Sequence, residues 1–170
     1  LYGVENKISA VVLRYFHVFG PRQESNEFGG VVSIFLRQAN EGGPLTVFGD
    51  GNQIRCFTHV RDVVSANLEA ATRLLENRQG AQVEHYNLAS PNRVAINDLA
   101  QIIRKRFSKE NRKLEIVFKE PLEGDIHFFD VNSAKASEEL GINFSSDFLS
   151  DLDTLIEQYL NEDIVSHRQA

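Results

Sequence analysis

The chain has 170 residues, with 42% hydrophobic and 25% charged side chains, which suits one globular domain and excludes a disordered chain. Its 18 basic and 24 acidic side chains leave a net charge of -6, against nonspecific nucleic-acid binding, which needs basic patches. A single cysteine, Cys56, excludes an intrachain disulfide, and no apolar run reaches the roughly 20 residues that span a bilayer.

Val11-Val12-Leu13-Arg14-Tyr15-Phe16 is β-branched and aromatic and stops at Gly20-Pro21, so it reads as a strand entering a turn. Apolar positions 28, 31, 32, 35, 36 and 39 predict a helix from Phe28 to Ala39 with one buried face, ended by Gly42-Gly43-Pro44. Leu45–Phe48 is a short strand, Gly49-Asp50-Gly51-Asn52 a turn, and Phe57–Val60 another short strand. A long helix follows from about Arg61 to Arg78, with Val63, Val64, Leu68, Ala71, Leu74 and Leu75 expected on its inner side. His85–Leu88 is a strand, Ile96 to Phe107 an amphipathic helix, and Leu114–Phe118 a further strand. A short helix from Ala134 to Leu140 ends at Gly141, and Ser146 is the expected N-cap of a last helix carrying Phe148, Leu152, Leu155, Ile156 and Tyr159. Strands and helices intermix with few tight hairpins, so the class is α/β or α+β.

Self-contained catalytic machinery is not visible. No Gly-x-Gly-x-x-Gly follows a strand and opens a helix, and no phosphate-binding P-loop is present. His17, His59, His85, His127 and His167 show no metal spacing with Cys56 or one another, so no metal is expected. Cys56 reads as a small, partly buried thiol in a reducing compartment. With no charged and apolar leader, the expected location is cytoplasmic and no membrane contact is expected. The chain starts at Leu1 and has no methionine, which suggests a fragment.

Several segments carry a resemblance. Leu13-Arg14-Tyr15-Phe16-His17-Val18-Phe19-Gly20-Pro21-Arg22-Gln23 is similar to the LRYFNVYGPRQ segment of the extended short-chain dehydrogenases that act on nucleotide sugars. The stretch from Pro44 to Val63 resembles that family's PLTIFGDGxQxRDFxxVxDV. Tyr86-Asn87-Leu88-Ala89 resembles its YNLG, and Gly124-Asp125, Asp130 to Lys135 and Leu140-Gly141 resemble its closing segments. The motifs stand in family order over about residues 11–160.

The resemblance implies an α/β fold in which residues 1–170 form the C-terminal, substrate-binding portion. The N-terminal Rossmann domain, with NAD and a Tyr-x-x-x-Lys pair, is expected to be missing. Tyr2 cannot fill that role, because Asn6 stands where the lysine would be. The family's epimerases and dehydratases lead to the expectation of a UDP-sugar 4-epimerase. The alternatives are a dTDP-sugar dehydratase, a UDP-glucuronate decarboxylase, or a non-catalytic nucleotide-sugar-binding or regulatory relative. The resemblance places Arg55 on the diphosphate, a role that a planar, permanently charged fork suits. It places Thr46, Val47 and Phe48 along the base and ribose, and Gly30, Val31 and Val32 at a helix start that meets the ligand. His17, Gln53 and Asp125 are further substrate-binding candidates, and Tyr15 and Phe16 would lie near the nicotinamide. The chain alone would carry no catalytic residue and hold no NAD; the intact protein would be a homodimeric enzyme. Three positions depart from the family pattern: His17 replaces an asparagine, Cys56 an aspartate and Leu122 a second diphosphate arginine.

Overall fold

The structure, a computed structural model, describes residues 5–6, 8–24, 29–76, 82–109 and 113–166, without the side chains of 161–166. Tyr2 and the expected helix ends Phe28 and Arg78 lie outside the described residues. Parallel pairing joins β1 (Ala10–Tyr15) to β6 (Val83–Leu88), β2 (Val18–Phe19) to β5 (Thr58–His59), and β3 (Leu45–Phe48) to β8 (Ile116–Lys119). β4 (Ile54–Cys56) pairs antiparallel with β7 (Arg93–Ala95), and Ile54 also bridges Phe128. The helices are α1 (Val31–Asn40), α2 (Val60–Glu76), α3 (Ile96–Ser108), α4 (Ala134–Leu140) and α5 (Phe148–Ser166).

Two cores organise these elements. The larger gathers α1, α3 and α5 around β3, through Phe35, Leu36, Leu45, Val47, Leu99, Ile103, Phe107 and Leu152. The smaller sets α2 and α4 against β6, through Ala66, Ala70, Tyr86, Leu88, Ala136 and Leu140. Polar ties join the two halves. The buried Asp62 accepts the Ser145 backbone N–H at 2.9 Å, and the Thr58 hydroxyl oxygen accepts the Ser90 N–H at 3.0 Å.

The helical face of α2 differs from its expected one. Of the expected positions Val63 is buried, but Val64, Leu68, Ala71 and Leu75 are exposed and Leu74 is half-buried, while Asp62, Ala66 and Ala70 face inward beside Val63. Hydrophobicity pointed to the large residues, but the close approach of α2 to β1 and β6 selects the alanine stripe. Asp62 works as an acceptor for the chain entering α5. Similarly, Asp147 caps α5 by accepting the Ser150 N–H at 3.1 Å, in place of Ser146. The short strands β2, β4 and β7 carry too few residues to show a period in the sequence.

The turn before β4 depends on a glycine. Gly51 has φ +76°, and a Cβ there would sit 2.8 Å from Asn97 Cβ and 3.0 Å from Val47 Cγ1. Its carbonyl accepts the Asn97 N–H at 2.9 Å, which docks the turn on the start of α3. Gly51→Ala is expected to destabilise the protein by about 1–3 kcal/mol, read as a lower urea midpoint at unchanged slope. An unchanged midpoint would contradict this role for the turn.

Candidate functional site

The candidate site forms where the open edge of β3 meets β4 and the segment 125–129. On β3, Leu45 N–H and Gly49 N–H donate toward β8, at 2.8 Å to Glu115 O and 2.9 Å to Lys119 O. Backbone groups alternate sides along a strand, so those of Thr46 and Phe48 face the other edge. Two glutamines meet them there. Gln38 Oε1 accepts the Thr46 N–H at 3.0 Å, and Gln53 Nε2 donates to the Phe48 carbonyl at 2.8 Å. The Phe48 ring is exposed beside this edge.

Gln53 carries the site onward to β4. Its Nε2 also donates to Asp125 Oδ2 at 3.1 Å, and its Oε1 is buried without a partner among the described residues. Two residues on, Arg55 points the same way as Gln53, because side chains along a strand alternate faces. Its Nη1 donates to the carbonyls of Ile54 and Ile126, and its Nη2 donates to Asp125, forming a largely buried ion pair. The guanidinium lies 5.3 Å from the Phe129 ring centroid, within cation–π range. The Nε proton and one Nη2 proton take no hydrogen bond among the described residues, so part of the fork can still address an anion.

His17 closes the site from the β1–β2 turn. Its φ of +43° is unusual for a residue with a side chain, and its ring packs edge-on against Phe129, with centroids 4.9 Å apart. Nδ1 is buried without a partner among the described residues. Burial, helped by the neighbouring Arg55 charge and opposed by the Cys56 carbonyl, holds its pKa below the ordinary histidine value of 6.5. His59 is lowered as well, first by burial. The unfolded chain therefore binds protons that the folded one refuses. This stabilisation is fully present above about pH 6.5 and falls as pH drops through that value toward the lower folded values. The urea midpoint is expected to fall between pH 7.5 and 5.5, and less so in a His17→Asn variant. An identical fall in the variant would contradict the assignment to His17.

The expected site residues divide into two groups. Arg55, Gln53, Asp125, Phe48, Thr46 and His17 come together. Val47 does not present its side chain here: it is fully buried in the larger core, and its backbone faces β8. Val32 is likewise in the core, with Val31 packed against it at the start of α1. Gly30, the residue before α1, makes no side-chain cap, and Gln23 Nε2 would lie 2.8 Å from a Cβ placed on it. Tyr15 is exposed and donates its hydroxyl to Asn67 Oδ1 at 3.0 Å, while Phe16 packs edge-on to Phe129 at 6.3 Å. Phe129 and Gln38 were not expected in the site. Phe129 falls between the matched segments, and Gln38 sits on the polar side of an ordinary amphipathic helix.

Comparison with known proteins bears directly on this arrangement. The NAD dependent epimerase/dehydratase family matches residues 1–89. A UDP-N-acetyl-alpha-D-glucosaminuronate decarboxylase of Bacillus cytotoxicus is 32% identical over 111 residues, covering 65% of this chain and 33% of the relative. The UDP-glucose 4-epimerase of Thermotoga maritima, solved with UDP-glucose, matches 92% of the chain and 47% of its own length, at TM-score 0.77 and 29% identity. The UDP-glucuronic acid 4-epimerase of Bacillus cereus, solved with UDP-glucuronic acid and NAD, matches 91% and 46%, at TM-score 0.75 and 26% identity. The chain thus spans about half the length of these solved structures and a third of the decarboxylase.

Proposed function

The chain belongs to the NAD dependent epimerase/dehydratase family, and on that premise we propose that it is the nucleotide-sugar-binding portion of an NAD-dependent enzyme, a UDP-sugar 4-epimerase in the first instance. The observation that carries the reading is the continuous run from the open β3 edge through Gln53 and Asp125 to Arg55. It offers backbone groups and an exposed ring at one end and a partly engaged guanidinium at the other. A flat base and a diphosphate need those two ends, and the solved relatives with UDP-glucose and UDP-glucuronic acid share this fold. The decarboxylase relative supports UDP-glucuronate-type decarboxylation as the second reading.

The chain's own residues do not fit a complete dinucleotide site. The β1–β2 turn is Phe16-His17 and the turn after β2 is Gly20-Pro21, neither a glycine-rich phosphate loop, and Tyr15 is occupied with Asn67. A Rossmann domain elsewhere in the intact protein would hold NAD. The bare sheet supports this division. Parallel sheets are normally covered on both faces, yet β1 exposes Val12 and Arg14 on one face and, among the described residues, has one unpaired edge. What these residues would do is bind and orient. Arg55 would hold the diphosphate, and β3 with Phe48 the base, so that the sugar is presented to groups beyond this chain.

Cytoplasmic residence and a homodimeric intact protein are part of the proposal; among the described residues no helix is long and apolar enough to cross a membrane. Calorimetry with UDP-glucose, UDP and glucose tests the binding assignment. The first two are expected to bind and glucose alone not to. Folded protein that binds neither nucleotide would overturn it.

A further inference from the structure

We propose that the outer edge of β8 is a self-association surface, on which the same strand of a second copy of this chain pairs antiparallel about a two-fold axis through Val117. This surface is separate from the candidate nucleotide site, which uses the open edge of β3 on the other side of the same sheet. Backbone direction defines it. β8 pairs parallel with β3 in a register that sets Ile116 beside Leu45 and Phe118 beside Val47. The Leu45 N–H donates to Glu115 O at 2.8 Å, and the Gly49 N–H to Lys119 O at 2.9 Å. In such a ladder alternate residues turn to opposite sides, so the backbone groups of Glu115, Val117 and Lys119 address β3 and those of Ile116 and Phe118 point away. β8 has no second neighbouring strand among the described residues. Open strand edges are normally blunted by proline, a bulge or an inward-facing charge. Ile116-Val117-Phe118 carries neither proline nor charge, and Val117 is 37% and Phe118 53% exposed.

The order of residues along this edge selects its partner. Antiparallel pairing through the outward groups sets Ile116 opposite the partner's Phe118 and Phe118 opposite the partner's Ile116, each pair exchanging both hydrogen bonds. Val117 then meets the partner's Val117 on the axis. Glu115 falls opposite the partner's Lys119, and Lys119 opposite the partner's Glu115. All of these take the positions between hydrogen-bonded pairs, where facing side chains approach most closely. Glu115, Val117 and Lys119 are exposed and share one face of the strand, so an apolar centre is flanked at both ends by opposite charges. On the other face, the exposed Phe118 ring gains the partner's Ile116 as a neighbour. Slipping the register by two residues in one direction sets Lys119 against the partner's Lys113. Slipping it in the other sets Glu115 against the partner's Pro121, so only the Val117-centred register pairs the charges. A two-fold contact uses the same patch on both copies, and this strand is complementary to itself.

So short a ribbon lies at the small end of interface sizes, so the dimer forms reversibly as concentration rises. Sedimentation equilibrium of the protein up to millimolar concentration is expected to show a monomer–dimer equilibrium. Phe118→Pro removes only the outward N–H, keeps the ladder to β3, and is expected to leave a folded monomer. Lys119→Glu sets like charges opposite each other at both ends and should lower the association constant about tenfold. Combining it with Glu115→Lys, which reverses both members of each pair, should restore the association. Protein that stays monomeric at every concentration overturns the proposal. So does a dimer that survives Phe118→Pro, or one that the single and the double charge reversals weaken alike.

Discussion

Arg55→Ala is expected to weaken UDP-glucose binding by roughly ten- to a hundredfold and to destabilise the folded protein by about 3 kcal/mol. The two effects have separate causes. On the proposed reading, affinity falls because the charged hydrogen bonds to the diphosphate are lost. Stability falls because Asp125 and the Ile126 carbonyl lose a partner that is itself largely buried, and Gln53 alone cannot neutralise the carboxylate. Arg55→Lys should recover only part of either effect, since an ammonium lacks the planar fork that reaches two carbonyls and a carboxylate at once. Calorimetry gives the first quantity and urea denaturation the second. Unchanged affinity in a variant that stays folded would remove Arg55 from the binding site.

Phe57→Ala is expected to carry the larger stability cost, about 3–5 kcal/mol. Phe57 is 2% exposed and stacks on Phe148 with ring centroids 5.1 Å apart, and it meets Phe19 edge-on at 6.4 Å. His17 lies against the same ring at 6.3 Å, so the cavity would open directly beneath the site. A melting temperature lower by about 8–15 °C is the expected reading for a chain of this size. A loss below about 1 kcal/mol would mean that the neighbouring rings collapse into the space, and that the site does not rest on this aromatic stack.

The parts legible in the sequence were those with a strong local cause. The strand Leu45–Phe48 has the expected bounds, with its turn glycines just beyond, and the stripe on α3 is buried as its spacing predicts. Gly141 ends α4 in the left-handed conformation that glycine favours. The inner face of α2 was misjudged because helical spacing identifies apolar positions but not how closely the neighbouring sheet approaches. The site shows the same division. Arg55, Gln53 and Asp125 stand in matched segments, and the fold brings these distant positions into contact. Val47 stands in a matched segment too, but strand alternation turns it into the core. Gln38 depends on where α1 lies against β3, and Phe129 on how the segment 125–129 adds to β4; no local pattern encodes either placement.

The most direct test of the nucleotide-sugar-binding assignment is a titration of the protein with UDP-glucose followed through its backbone amide resonances. Saturable shifts concentrated at Thr46, Phe48, Gln53 and Arg55, and lost in Arg55→Ala, are the predicted result. A folded protein whose resonances at those four positions do not move, or move no more than the rest of the chain, would contradict it.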